Sequence, residues 1–435
     1  MEFTRQVRAW WAGFATWRTR SRFGRNLWQV TRANVLAQAL LLLAAPLLTR
    51  LYAPESFGSL ALFTSLLGLG LALGTARFEW SVPNARSGAM AAALLACGAG
   101  VLLLASAAAA VAWWAWGACW AAPGSALRAA GGLLPLALLG AGLQQLLSAW
   151  HVRGAELAPV GRAKVHASLA NVGVALAASV LGGVGLLAAA LAGAWIGLGT
   201  LWRRARGLRP CLRRLRRRHL ALAVRHFGGE AAWSTLASLL NTVSFAAIPL
   251  LLARHYSAAE VGYYALMQRV ALGPVGFVGA AITQSFWAEA ARLVHTQPEA
   301  LEQLFRRSTR RMLWLALPLA LLALAGPLYI GPIFGSAQWQ PAGWVVAASA
   351  PMLLGQAVVS PLSHLIVHRK QHWQVAWDAA RTLALLAIIE TLGRQAAPFA
   401  FTVLAASLLI AAMYGLLYFM NLAALKRRIA QAGTP

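Results

Sequence analysis

Windows of ~20 apolar residues recur along almost the whole chain, and ~20 is the length an α-helix needs to cross a ~30 Å hydrocarbon core. Twelve can be placed, near residues 30–51, 57–80, 88–117, 131–151, 163–181, 185–202, 228–253, 261–288, 311–331, 342–366, 374–392 and 397–422. Spans five and six adjoin through Gly182, Gly183, Val184 and Gly185; as one helix they would far exceed a bilayer, so they are read as two. In lipid the backbone must satisfy its own polar groups, which leaves helices or a closed barrel. The short alternating strands of a barrel are absent. With 60 % hydrophobic and only 11 % charged residues, an ordinary soluble domain is excluded, and the reading is an all-α integral membrane protein.

The net charge of +27 would point to nucleic acid in a soluble protein. Here its placement is a topology signal, so no nucleic-acid partner is expected. With the amino terminus in the cytoplasm, the termini and cytoplasmic loops collect nearly all Lys and Arg. Arg50, Arg128, Arg254 and Arg394 fall on the far side, and Arg269 and Arg381 fall within spans. An even number of spans returns the carboxyl terminus to the cytoplasm. Residues 1–29 place Val7, Trp10, Trp11, Phe14 and Trp17 at helical spacing among arginines, the pattern of a basic amphipathic helix on an anionic membrane surface. Residues 203–226 hold ten arginines and read as a linker and lipid-headgroup anchor. The expected organisation is residues 30–202 as one lobe of six spans, 227–424 as a second, and 425–435 as a cytoplasmic tail.

A duplicated motif supports two lobes. Residues 46–62, PLLTRLYAPESFGSLAL, are echoed at 249–266, PLLLARHYSAAEVGYYAL. Arg50, Tyr52, Gly58, Ala61 and Leu62 align with Arg254, Tyr256, Gly262, Ala265 and Leu266 at one constant offset of 204 residues. Internal repeats of this kind build many transporters, and six spans per half relate the copies by an axis along the membrane normal.

Ionisable groups inside a membrane cost ~2.5 to 3.5 kcal/mol each on insertion scales, so they are the first candidates for function. On span seven Glu230, Ser234, Ser238 and Asn241 share a helical face, and on span eleven Gln374, Asp378 and Arg381 do the same. Weaker stripes are Asn34, Gln38 and Thr49, then Gln144, Gln145 and Ser148, then Lys164, Ser168 and Asn171, then Gln356, Ser360 and Ser363. Together they suggest a hydrated cavity between the halves, with interhelical hydrogen bonding as the alternative for each stripe. Arg77 with Glu79, and Asp378 with Arg381, are candidate ion pairs. Arg269 has no acid one turn away and precedes Gly273 and Pro274, a kink signal. A planar guanidinium there suits an anionic ligand. Candidate cavity residues are therefore Arg50, Arg77, Arg269, Arg381 and Asn241, and candidate ion-coupling acids are Glu79, Glu230 and Asp378.

No enzyme is indicated. Three scattered cysteines form no metal or disulfide framework. There is no phosphate-cradling G-x-x-x-x-G-K-[ST] loop and no Ser/His/Asp spacing, so no cofactor is expected. His364, His368 and His372 sit at i, i+4 and i+8, but without carboxylate or cysteine company they read as a solvated cluster.

The stretches LLTRLYAPESFGSLALFTSL, ARFEWSVPNA and LLARHYSAAEVGYYALMQRVALGPVGFVGAAITQSFWAEAAR resemble the bacterial polysaccharide transporter family, flippases of the multidrug/oligosaccharidyl-lipid/polysaccharide exporter superfamily. The resemblance implies a V-shaped alternating-access transporter in the inner membrane, handling an undecaprenyl-pyrophosphate-linked glycan for surface polysaccharide such as O-antigen, capsule or exopolysaccharide. It places Arg50, Arg77 and Glu79 at the family's first-hairpin positions. Membrane lipids and a polysaccharide polymerase are the implied partners. An ion-coupled multidrug antiporter of the same superfamily is the alternative, and a membrane polymerase or ligase would require an outer loop that this chain lacks.

Overall fold

The computed structural model describes residues 22–120, 124–273, 298–335, 337–366 and 371–432, with a few single positions between 283 and 293. The aromatic stripe expected in residues 1–17 and the side chains of His364, His368 and His372 lie outside what is described. Among those described every regular element is a helix.

The first half consists of α1 (Arg22–Leu51), α2 (Pro54–Gly74), α3 (Gly88–Trp120), α4 (Leu134–Arg153), α5 (Leu157–Ala177) and α6 (Gly183–Arg204). In position they correspond to the six expected spans of the first half. The break foreseen between spans five and six occurs at Gly182, whose φ of 57° and ψ of −143° stop the helix where a side chain is disfavoured. A short helix, Leu208–Arg213, leads to the 39-residue α7 (Arg217–His255). In the second half α8 (Ala258–Met267) runs into a π turn at Gln268–Leu272. There follow α9 (Pro298–Leu324), bent by 68° into α10 (Gly326–Phe334), then α11 (Gln340–Ala348), bent by 47° from α12 (Ala350–Val359). Pro327 and Pro351 stand at the first turns of α10 and α12, where proline removes the hydrogen bond that would carry the helix through the bend. The chain closes with α13 (Gln371–Arg394) and α14 (Phe399–Ala432).

Among the described residues seven helices are long and apolar enough to cross a membrane, or up to nine if each bent pair is one span. The remaining three expected spans correspond to α5, which carries Arg162 and Lys164, to α13, which carries Asp378, Arg381 and Glu390, and to α8, which leads into residues outside the description. Large apolar side chains stand exposed around the bundle, among them Leu43, Leu104, Trp114 and Leu328. This is the surface of a multi-pass membrane protein facing lipid.

The halves interlock. Leu48, Tyr52 and Phe57 of the first hairpin share a buried cluster with Leu252, Val261 and Trp339 of the second half. In exchange, Ala223 and Ala231 of α7 join the first half's core, with Phe78, Leu94, Leu102 and Leu146. The Trp339 indole N–H donates to the Thr49 carbonyl at 2.9 Å, both groups buried, tying the end of α1 to the turn before α11. At the centre α2 crosses α8 with the duplicated glycines face to face. A methyl group on Gly58 would collide with the Ala258 carbonyl, and one on Gly262 with the Pro54 carbonyl. Pro54 and Ala258 are themselves equivalent in the repeat. The crossing is therefore two-fold symmetric and allows backbones to touch, as small residues do between membrane helices.

Candidate functional site

Arg269 sits on the π turn seven residues beyond Gly262, below the glycine crossing. A π turn inserts one residue into the helix and re-aims the side chains on it, a feature frequent at functional sites. Here it turns the Arg269 guanidinium to 5.6 Å from the Phe57 ring of α2. Arg269 Nη1 is buried with no hydrogen-bond partner, and no carboxylate lies within ion-pair distance among the described residues. A buried cation without an acid is costly unless an anion neutralises it. Close by, Gln38 of α1 lies against Gly273, so a polar residue of the first half reaches the same turn.

Arg77 and Glu79 fall outside α2. That helix ends at Gly74, and Ala76 and Arg77 adopt left-handed φ of 44° and 57° before the one-turn helix Phe78–Ser81. The expected ion pair between them is absent. Arg77 instead donates from Nε to the Ser234 hydroxyl of α7 at 3.4 Å and lies 4.6 Å from the Trp80 ring. Glu79 is 5 % exposed and accepts from the Gln145 amide at 2.8 Å, while its second carboxyl oxygen is buried without a partner. The left-handed pair turns the two side chains apart, which leaves a cation facing the second half and an acid inside the first.

The other expected pair is present. Arg381 Nη2 lies 3.0 Å from Asp378 Oδ1, and Gln374 donates to the other carboxylate oxygen at 3.2 Å. Arg381 is 5 % exposed and its guanidinium is 4.6 Å from the Trp377 ring and 5.3 Å from that of Phe245. One turn beyond Asp378, the Thr382 hydroxyl is hydrogen-bonded to Ser244 of α7. Arg381 lines a small cavity of about 30 Å³ with Gln268, Gln356 and Tyr414, room for a water molecule.

The remaining candidates lie apart from these. Arg50 is exposed at the end of α1, its stem over Gly335. Glu230 and Asn241 are exposed on α7 with no protein partner among the described residues, on the helix whose Ser234 meets Arg77. The structure thus brings Arg77 to the α7 stripe and Arg381 to Asp378, and it holds Arg269 under the crossing; no hydrogen bond joins the three arginines among the described residues. Gln145 of the span-four stripe makes an interhelical hydrogen bond, the alternative weighed for the stripes, whereas the sequence did not reveal the role of Phe57, which acts through a contact with another helix.

This arrangement of helices is the fold of transporters of the multidrug/oligosaccharidyl-lipid/polysaccharide exporter, or MOP, superfamily. The structure is similar to a multidrug resistance MATE family transporter in its inward-facing conformation, with a TM-score of 0.61 and 14 % identity over 93 % of this chain and 96 % of that one. It is similar to the lipid II flippase MurJ in an inward closed conformation, with a TM-score of 0.71 and 10 % identity over 92 % and 89 %. A MOP superfamily transporter from Pyrococcus furiosus gives 0.54 and 16 % over 94 % and 97 %. The profile of the polysaccharide biosynthesis protein family matches residues 47–343, more than half of the chain, and the chain belongs to that family. No curated protein sequence matches it.

Proposed function

We propose that the protein is a flippase that carries undecaprenyl-pyrophosphate-linked oligosaccharides across the bacterial inner membrane, for assembly of a surface polysaccharide. The observation that carries this reading is Arg269, a buried guanidinium with an unpartnered nitrogen beneath the α2–α8 crossing. A pyrophosphate supplies the missing charge and acceptors, because the planar guanidinium fork matches phosphate oxygens. Arg77, turned toward α7 without an acid partner, gives the first half a second cation for the same group. Family membership and the likeness to MurJ support a lipid-linked cargo.

In this reading twelve spans form two six-helix lobes, residues 30–202 and 227–424, with both termini in the cytoplasm. Rocking of the lobes opens the cleft to each side in turn. The crossing at Gly58 and Gly262 closes the side opposite the linker, because both hairpins lie on that side. Glu79 is the acid best placed to carry a coupling proton, since no cation lies within ion-pair distance of it among the described residues, whereas Asp378 is committed to Arg381. A polysaccharide polymerase would take the delivered unit.

The test is flipping of a fluorescent undecaprenyl-pyrophosphate oligosaccharide in proteoliposomes. The native chain is expected to flip it, and Arg269→Ala to lose at least about tenfold in rate, ~1.4 kcal/mol, at unchanged protein abundance. Wild-type rates in Arg269→Ala remove the cationic site, and uptake of a cationic dye with no lipid flipping assigns the protein to drug antiport instead.

A further inference from the structure

The joint between the halves bends back onto the first half. After α6 ends at Arg204, the helix Leu208–Arg213 places Leu208 and Leu212, four residues apart, on one face. These two leucines close one end of a half-open groove of about 420 Å³ running between α3, α4 and α6. Its walls are apolar, with Leu95 and Ala99 from α3, Leu143 and Leu147 from α4, and Trp195 and Trp202 from α6. The two tryptophans stand seven residues apart, about 10 Å of helix, so the groove is an elongated slot.

At the slot's mouth Arg209 holds its guanidinium 5.6 Å from the Trp202 ring. Arg203, Arg204, Arg206 and Arg213 are exposed in the same short segment, and none has a carboxylate within ion-pair distance among the described residues. A slot for one hydrocarbon chain, ending beneath unneutralised guanidiniums, is complementary at both ends to a single kind of molecule. We propose that the groove binds an anionic phospholipid of the adjoining leaflet, one acyl chain along the Trp195–Trp202 side and the phosphate on Arg209 and Arg213. A zwitterionic lipid fills the slot equally well but sets its own cation among the arginines, so the arginines supply the selectivity. Bound there, the lipid clamps the loop to α6 just ahead of α7, whose Ala223 and Ala231 are packed in the first half. The inference is independent of what the protein transports.

Gly199 lines the slot, and a Cβ there meets no atom within 4 Å, so a larger side chain at this position starts into open space in the groove. The experiment is native mass spectrometry of the full chain with added phosphatidylglycerol, chain-matched phosphatidylcholine, or undecaprenyl phosphate. Phosphatidylglycerol is expected to bind about tenfold more tightly than phosphatidylcholine. Gly199→Phe should lose binding of both phospholipids, while the double variant Arg209→Ala, Arg213→Ala should lose only the preference. Because those arginines are exposed, the double variant tests the proposal even if Gly199→Phe fails to fold. Equal affinity for the two phospholipids, or a preference that survives the double variant, overturns it. Displacement of phosphatidylglycerol by lower concentrations of undecaprenyl phosphate also overturns it and makes the groove a seat for the polyprenyl carrier.

Discussion

The first hairpin enters α2 with no side-chain cap, whereas the second enters α8 through a complete capping box. At the first, Ala53 offers no acceptor and Pro54 fixes the opening turn. At the second, Ser257 accepts from the Glu260 amide and the Glu260 carboxylate accepts from the Ser257 amide at 2.8 Å. Their anchors differ as well. Tyr52 donates to the Ala175 carbonyl, while Tyr256 bonds the Thr402 hydroxyl at 2.6 Å. Arg50 lies over Gly335, while Arg254 stands 3.7 Å from Glu390, a carboxylate shared with His255 and Arg394 at 2.8 Å each. Only the glycine crossing is the same from both sides. What the copies do to each other at the crossing has been kept, and what each does away from it has diverged.

The charged sites differ between the halves in the same way, and this difference carries the largest expected effect. Asp378→Asn leaves Arg381 buried without its counter-charge and should lower the unfolding free energy by about 3–5 kcal/mol. Glu79→Gln retains an acceptor for Gln145 and should cost about 1 kcal/mol. Denaturant unfolding in detergent micelles measures both, and equal costs would mean that Arg381 does not depend on Asp378.

The symmetric crossing gives the next effect. Gly58→Ala and Gly262→Ala each press a methyl group against a carbonyl of the other copy and should each cost about 1–3 kcal/mol, with matching losses of transport. A large cost at one glycine and none at the other would break the two-fold description. The smallest effect concerns the caps. Ser257→Ala should lose about 1 kcal/mol, and Ala53→Ser, which gives the first copy the acceptor it lacks, should gain about 0.5 kcal/mol. Thermal unfolding compares the two, and a cost at Ala53→Ser would show that the first turn of α2 cannot accept a cap.

Much of this was legible in the sequence. The apolar windows located the first six helices, the repeat located the two hairpins that meet, and spacing of three residues paired Asp378 with Arg381. Two kinds of feature were hidden for physical reasons. Burial was one, because in a membrane a leucine suits lipid as well as core: Leu43 is 75 % exposed and Leu48 is 1 % exposed, yet both sit in the same apolar run. Contacts far apart in the chain were the other. Nothing near Thr49 announces that Trp339 will hydrogen-bond its carbonyl, and neither Ala76 nor Arg77 is a residue type that signals a left-handed turn.

The crossing of α2 and α8 has the geometry of an isologous interface, the kind that two identical subunits make in a C2 dimer, where one patch meets its own copy. A half-length chain carrying one hairpin already holds everything needed for that contact with a second molecule of itself. In such a dimer every substitution would appear on both sides of the axis at once. Joined end to end through the arginine-rich segment, the two copies are released from that constraint, and a change in one hairpin is met by an unchanged partner. The caps and anchors around the axis have used this freedom, and the glycines on it have not.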